Sequence, residues 1–184
     1  MKTEVTPERL KEFVDELEHK KIKYFIIAGW GLDGKRGYQT RPHQDADILV
    51  LEKDKSEVEK VIEKLNYSRK QFGNVNKLKR EDGSKIDLTF MTIEGDEAVT
   101  YGGIAETRFP KKLIDKTQKG HLQGIEFNVG ANELLKTWGQ HAGNEEDRKY
   151  AATLPADEGL MKRIKRILKS PEDMQKHFQQ TKNL

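Results

Sequence analysis

Asp45 and Asp47 stand two residues apart at the head of an apolar run, Ile48-Leu49-Val50-Leu51. In a strand successive side chains alternate faces, so both carboxylates project from one side, roughly 7 Å apart from two residues of rise. Like charges held that close repel unless a cation lies between them. The apolar residues anchor the strand in a core and leave the acids at its exposed end, the arrangement of a divalent-metal site. A third acid, Asp87, lies in residues 85–92, where Ile86, Leu88 and Phe90 alternate with Asp87, Thr89 and Met91. One face of that strand is core and the other carries the carboxylate. Three carboxylates on adjacent strands can hold two Mg²⁺ ions about 4 Å apart, with one acid also touching an attacking hydroxyl. That is the requirement of phosphoryl or nucleotidyl transfer, in which the protein mostly positions groups and neutralises charge. An isolated Asp-x-Asp has a blander meaning, a solvated loop. The apolar strand, the third acid and a glycine-bearing turn upstream favour the metal.

That turn is the end of Ile26-Ile27-Ala28-Gly29-Trp30-Gly31-Leu32-Asp33, a buried strand running into a candidate phosphate cradle. Arg41 and His43, just before the aspartates, are candidates for the β- and γ-phosphates, since a guanidinium matches phosphate geometry and a protonated imidazole adds charge. The alternative is a loop that merely caps the strand. Thr40 either donates to phosphate or caps that loop. Asp33 suits a loop-bracing role, and the Trp30 ring suits the core. Lys77 and Lys79 face either the triphosphate or solvent on an edge strand.

The elements that must position these groups follow from periodicity. Thr6-Pro7 caps a first helix lined by Leu10, Phe13, Val14 and Leu17, running to about Lys20. Strands are expected over 23–28 and 46–51. Ser56-Glu57-Val58-Glu59 reads as a capping box for a helix with Val58, Val61, Ile62 and Leu65 on one face. Residues 74–80 and 85–92 flank Glu81-Asp82-Gly83-Ser84, a hairpin signal. Residues 93–124 carry loop markers at Gly102-Gly103, Phe109-Pro110 and Gly120 and no clear period. A short strand at 125–129 and helices over 132–140 and 145–154 follow. Leu160, Ile164, Ile167 and Leu168 predict a third helix whose wet face is the basic run Lys162-Arg163-Lys165-Arg166-Lys169. Residues 175–184 form a polar tail expected to fray.

Composition sets outer bounds. At 184 residues the chain fits one domain with a small helical appendage: a core over 1–130 and a helical C-terminal part over 131–184. Thirty-four basic residues nearly balance 31 acidic ones, so net charge, +3, argues neither for nor against nucleic acid. The absence of cysteine excludes disulfides and thiolate zinc sites, and the five histidines form no close pair in sequence. No apolar run reaches the roughly 20 residues of a membrane span, and the N-terminus is charged rather than signal-like. A soluble cytoplasmic protein is expected, and nothing in the sequence selects an oligomeric state.

Ala28-Gly29-Trp30-Gly31-Leu32-Asp33, followed by Gln39-Thr40-Arg41-Pro42-His43-Gln44-Asp45-Ala46-Asp47-Ile48, resembles the signature of small nucleotidyltransferases of the DNA polymerase β-like superfamily. It is most similar to the aminoglycoside and lincosamide nucleotidyltransferases, whose pattern is Gly-Gly-Trp-Gly/Ala-x-Asp, then Thr-Arg-x-His-x-Asp-x-Asp. The resemblance covers residues 25–92, with a weaker echo over 131–154. It implies an α+β fold, a small mixed sheet with helices packed on one side, and a helical C-terminal part closing over the substrate. It also implies ATP or another nucleoside triphosphate, Mg²⁺ (two ions, with Mn²⁺ as substitute), and transfer of a nucleoside monophosphate to the hydroxyl of a small molecule, such as an aminoglycoside- or lincosamide-like compound. Asp45 and Asp47 match the metal aspartates, and Asp87 the acid that ligates metal or acts as general base. Gly29 and Trp30 match the turn whose backbone N–H groups receive the triphosphate. Ala28 replaces the first glycine of the family's pair. Alanine is harmless there if the residue is still in the strand, which is the expectation, and weakens triphosphate binding if the position needs φ > 0.

Other readings use the same residues differently. A toxin-like nucleotidyltransferase acting on RNA or protein draws support only from the basic C-terminal helix, which lacks interleaved stacking aromatics. A non-catalytic nucleotide-binding module would explain Ala28 but not the three retained carboxylates. An Asp-x-Asp glycosyltransferase usually needs a longer nucleotide-binding domain.

Overall fold

A computed structural model describes residues 5–72, 75–102, 105–141 and 144–168. The expected frayed tail lies outside the described residues, as do Asn74, Gly103 and Lys169.

Thr6 caps α1 (Pro7–His19), its hydroxyl accepting from the Arg9 N–H, with Pro7 in the first turn. Four consecutive buried residues form β1 (Tyr24–Ile27), which runs directly into α2 (Ala28–Arg36). The chain then crosses to β2 (Ala46–Leu51), α3 (Lys55–Lys64), β3 (Ser68–Phe72), β4 (Val75–Lys79) and β5 (Lys85–Glu94). Helix α3 begins after Asp54 without a side-chain cap, so Ser56 is inside the helix and the expected capping box does not form.

The segment without a legible period is mostly sheet: β6 (Glu97–Gly102), β7 (Ala105–Pro110) and β8 (Gln118–Leu122), with α4 (Lys112–Asp115) between the last two. β9 (Ile125–Val129), α5 (Asn132–Gly139) and α6 (Glu145–Thr153) fall where periodicity placed them. The expected third C-terminal helix does not form. α7 (Glu158–Met161) is a single turn, and β10 (Lys165–Leu168) pairs antiparallel with β7. Helical spacing of Leu160, Ile164, Ile167 and Leu168 loses here to ladder hydrogen bonds offered by an open strand edge.

The strands join in one mixed sheet, β10-β7-β6-β5-β2-β1-β9-β8, with β4 also on β5 and β3 on β4. β2 runs parallel to β5 and antiparallel to β1. One face, with Tyr24, Ile26, Ile48, Val50, Ile86 and Leu88, packs on α1, α2 and α3. The other, with Phe25, Ile27, Leu49 and Met91, is covered by Leu113 and Ile114 of α4, Leu134 of α5 and Leu160 of α7. The fold is therefore α+β, but helices cover both faces of the sheet and not one as expected. α1, α2 and α3 lie on one side, joined by Ala151 of α6 and Leu135 of α5, and α4, α7 and Leu134 of α5 lie on the face that carries Asp47 and Asp87.

Candidate active site

Ile27, Asp47, Asp87 and Lys77 form one cross-strand row: Ile27 is opposite Asp47, Asp47 opposite Asp87, and Asp87 opposite Lys77. Equal register across neighbouring strands puts all four side chains on the same face. Asp45 lies two residues before Asp47 and is exposed at the strand's entry. The three acids expected to act together are thus gathered at one end of β2 and β5.

Their charges strain one another. Burial pushes the Asp47 carboxyl up, and the charges of Asp45 and Asp87 push it further, to about 7. Lys77 opposes this: its ammonium donates to Asp87 Oδ2 at 2.7 Å, and the neighbouring aspartates hold it charged. β4 lies between β3 and β5, so Lys77 is not on the solvated edge strand that its alternation with Lys79 suggested. Among the described residues no three acids or histidines close on a single point as they stand. Even so, the donor set is all oxygen, as a hard divalent cation requires, and a lysine ammonium already stands against it. The residues fit a divalent metal.

Ala28 begins α2 with φ of +54°. It does not continue the strand as expected but occupies the left-handed region, where alanine is strained. Gly29 follows, and a Cβ there would lie 2.6 Å from the His43 Cε1 and Nδ1 atoms and 3.1 Å from Arg41 Nη2. The imidazole therefore rests against bare backbone. Trp30 is buried, its ring 5.2 Å from that of His43. The unpaired amides of the first turn of α2 make this end electropositive.

Asp33, 0% exposed, braces the loop between α2 and β2. It accepts from Arg36 Nη1 at 2.8 Å, from Thr40 N and Oγ1 at 3.0 Å, and pairs with His43 Nε2 at 2.7 Å. Burial by itself would raise this carboxyl, but the hydrogen bonds from His43, Thr40 and Arg36 outweigh it and hold the group below the usual carboxylate range. Thr40 is thereby committed to the loop, and His43, 3% exposed, has one nitrogen committed to Asp33 while its ring still lines the cavity.

The cavity, about 280 Å³, is lined by Ala28, Gly29, Arg41, His43, Asp45 and Asp47 on one side. On the other side are Thr107, Thr137, Trp138, His141 and Arg166. A second cavity of about 140 Å³ adjoins it, sharing Asp47, Thr107, Trp138 and Arg166 and adding Asp87, Thr89 and Thr100. An acid ring, an electropositive helix start and a Trp-walled space beyond suit a triphosphate at one end and an acceptor at the other.

A profile of the aminoglycoside-2''-adenylyltransferase family matches residues 9–154. The chain belongs to that family. A lincosamide resistance protein from Staphylococcus haemolyticus is 32% identical over 101 residues, which make up 52% of this chain and 61% of that protein. The chain thus spans about three fifths of that relative's length. Among solved structures, the lincosamide antibiotic adenylyltransferase LnuA with lincomycin bound superposes with a TM-score of 0.64 at 22% identity, over 83% of this chain and 99% of that one. ANT(2'')-Ia in complex with adenylyl-2''-tobramycin gives 0.57 at 14% identity, over 95% of each chain. At these identities the two structures establish the shared nucleotidyltransferase fold.

Within this family member, several site residues escape a reading of the sequence. Asp147, 0% exposed, bonds Arg36 Nη1 at 2.9 Å and Arg41 Nη2 at 3.2 Å, so the arginine that lines the cavity is held from α6. Asn144 caps α6, accepting from the Asp147 N–H. The only local signal was that Asn-x-x-Asp start, which predicts a helix cap and not a partner 106 residues away. Arg166, read as helix surface, reaches the cavity because it lies on β10 opposite Thr107.

Proposed function

We propose that the chain is a nucleotidyltransferase that moves a nucleoside monophosphate from ATP, or another nucleoside triphosphate, to a hydroxyl of an antibiotic-like small molecule. The observation that carries this reading is the row Asp47–Asp87 on parallel neighbours, with Asp45 beside it and the start of α2 facing the same cavity. Asp45, Asp47 and Asp87 would hold divalent metal, Mg²⁺ in this reading, as two ions or with Mn²⁺ in its place. Bound there, the metal would supply neutralisation of triphosphate charge during in-line displacement.

The chain's own groups divide the remaining work. The N–H groups of Gly29 and Trp30 receive phosphate oxygens at the helix start, and Arg41, oriented by Asp147, adds a cation there. His43 packs the loop against Gly29 and keeps that approach narrow. The acceptor hydroxyl oxygen attacks the α-phosphorus, the bond to the β-phosphate oxygen breaks, and pyrophosphate leaves. Asp87 takes the hydroxyl proton. Trp138 and the helices beyond β9 cover the acceptor. The division into a core over 1–130 and a C-terminal part over 131–184 follows this split between donor and acceptor sides, although β10 returns to the core sheet.

The basic helix that would have favoured an RNA acceptor is a strand and a single turn in this fold. Pyrophosphate release from ATP and Mg²⁺ in the presence of lincomycin or tobramycin tests the reading. Asp45→Asn and Asp87→Asn are each expected to abolish release while leaving thermal unfolding close to wild type, because each removes site charge and no core packing. Wild-type turnover in either variant refutes the assigned roles.

A further inference from the structure

The two adjoining cavities form one groove with chemically unlike ends. Arg41, His43 and the first turn of α2 mark the triphosphate end. Thr107, Thr137, Trp138, His141 and Arg166 wall the other. Register places Arg166 opposite Thr107, Thr107 opposite Thr100 and Thr100 opposite Met91. Met91 shares a face with Asp87, four residues earlier on β5, so this row lies on the same side of the sheet as the acids. β10 therefore delivers a guanidinium to the groove wall beside Trp138, where the two cavities meet. The neighbouring basic side chains are already engaged, Arg163 by Asp96 and Arg108 by Glu94, Glu97 and Glu106. Among the described residues no carboxylate pairs with Arg166. Among those lining either cavity, the only carboxylates are Asp45, Asp47 and Asp87.

We propose that Arg166 makes the acceptor end selective by charge, admitting a hydroxyl-rich acceptor with at most one ammonium group and rejecting polyammonium sugars. The inference rests on the transferase reading above: with the three aspartates engaged by divalent metal, and the triphosphate by that metal, Arg41 and the start of α2, no carboxylate among the described lining residues remains to receive several ammonium groups. A lone guanidinium there repels each of them and donates to an acceptor oxygen. Trp138 supplies the apolar face on which a sugar or hydrocarbon ring rests.

Calorimetric binding of lincomycin, which carries one amine, and of tobramycin, which carries several, tests this on the full chain. Mg²⁺ and a non-hydrolysable ATP analogue are present so that bare aspartates do not attract the amines. Wild type is expected to bind lincomycin at least about tenfold more tightly than tobramycin, the scale of one like-charge contact near the protein surface, where Arg166 is exposed. Arg166→Gln should narrow the preference and Arg166→Glu should reverse it, a change of opposite sign for the two compounds that loss of structure would not produce. Tighter tobramycin binding by wild type, or an order that Arg166→Glu leaves unchanged, overturns the proposal. Pyrophosphate release with ATP separates the two readings. Release with tobramycin preferred keeps the transferase and refutes charge selection. The expected binding order with no release keeps charge selection and refutes the transferase.

Discussion

Ala28 holds a conformation that its side chain resists. A left-handed backbone costs an L-residue roughly 1–2 kcal/mol, and glycine would recover that less about 0.5–1 kcal/mol for its freer unfolded chain. Ala28→Gly is therefore expected to stabilise the fold by about 0.5–1 kcal/mol, raising Tm by about 1–4 °C in a chain of this size. Thermal unfolding checks it, and an unchanged or lower Tm contradicts the strain. The expectation of a harmless strand alanine failed because β1 turns into α2 at that residue, with no intervening loop to absorb the bend. The carboxylates were legible for the opposite reason. Their side chains and the apolar residues that orient them lie within a few positions of each other, so alternation settles the face of its own strand that each takes, while the pairing of β2 with β5 decides that Asp47 and Asp87 share one.

Between elements, the network of Asp33, Arg36, His43 and Asp147 ties α2, the loop before β2, and α6 into one unit. Arg36 also lies over the Tyr150 ring at 4.2 Å. Because hydrogen bonds depress the Asp33 carboxyl in the folded state, its stabilising contribution is complete above the unfolded value, about 3.9. That contribution is lost as pH falls through the lower folded value. Asp33→Asn leaves part of a buried charge network unpaired, at a cost of about 3–5 kcal/mol at neutral pH, and should make the acid limb of stability shallower. Urea unfolding from pH 7 to pH 3 measures both effects; a parallel, undiminished acid limb in the variant would reject the assignment. β10 shows how an element can defeat local pattern. Its residues satisfy helical spacing, yet the edge of β7 supplies backbone partners that a four-residue segment cannot make alone. The same applies to β6, β7 and β8, which carry few alternating apolar residues and gain their order from neighbours.

For the whole molecule, net charge is close to balanced, so the site's electrostatics come from arrangement and not from excess. No helix among the described residues is long and apolar enough to cross a membrane. If metal and triphosphate bind the native state alone, ligand at a hundred times its dissociation constant adds about 2.7 kcal/mol. Mg²⁺ with a non-hydrolysable ATP analogue should accordingly raise Tm of the wild type, and Asp47→Asn should lose most of that rise. An equal shift in both proteins would place the metal elsewhere.

The sequence by itself determined the strand that Asp45 and Asp47 open and the acid-bearing face of β5, because each depends on alternation or spacing over a dozen residues or fewer, and its resemblance over residues 28–48 pointed to the family. Tertiary structure alone decided that Thr40 serves the loop, that Asp147 holds Arg41 from a distant helix, and that Arg166 lines the cavity from an added strand. Those outcomes depend on which distant backbone edges and buried charges meet, and no local period encodes that.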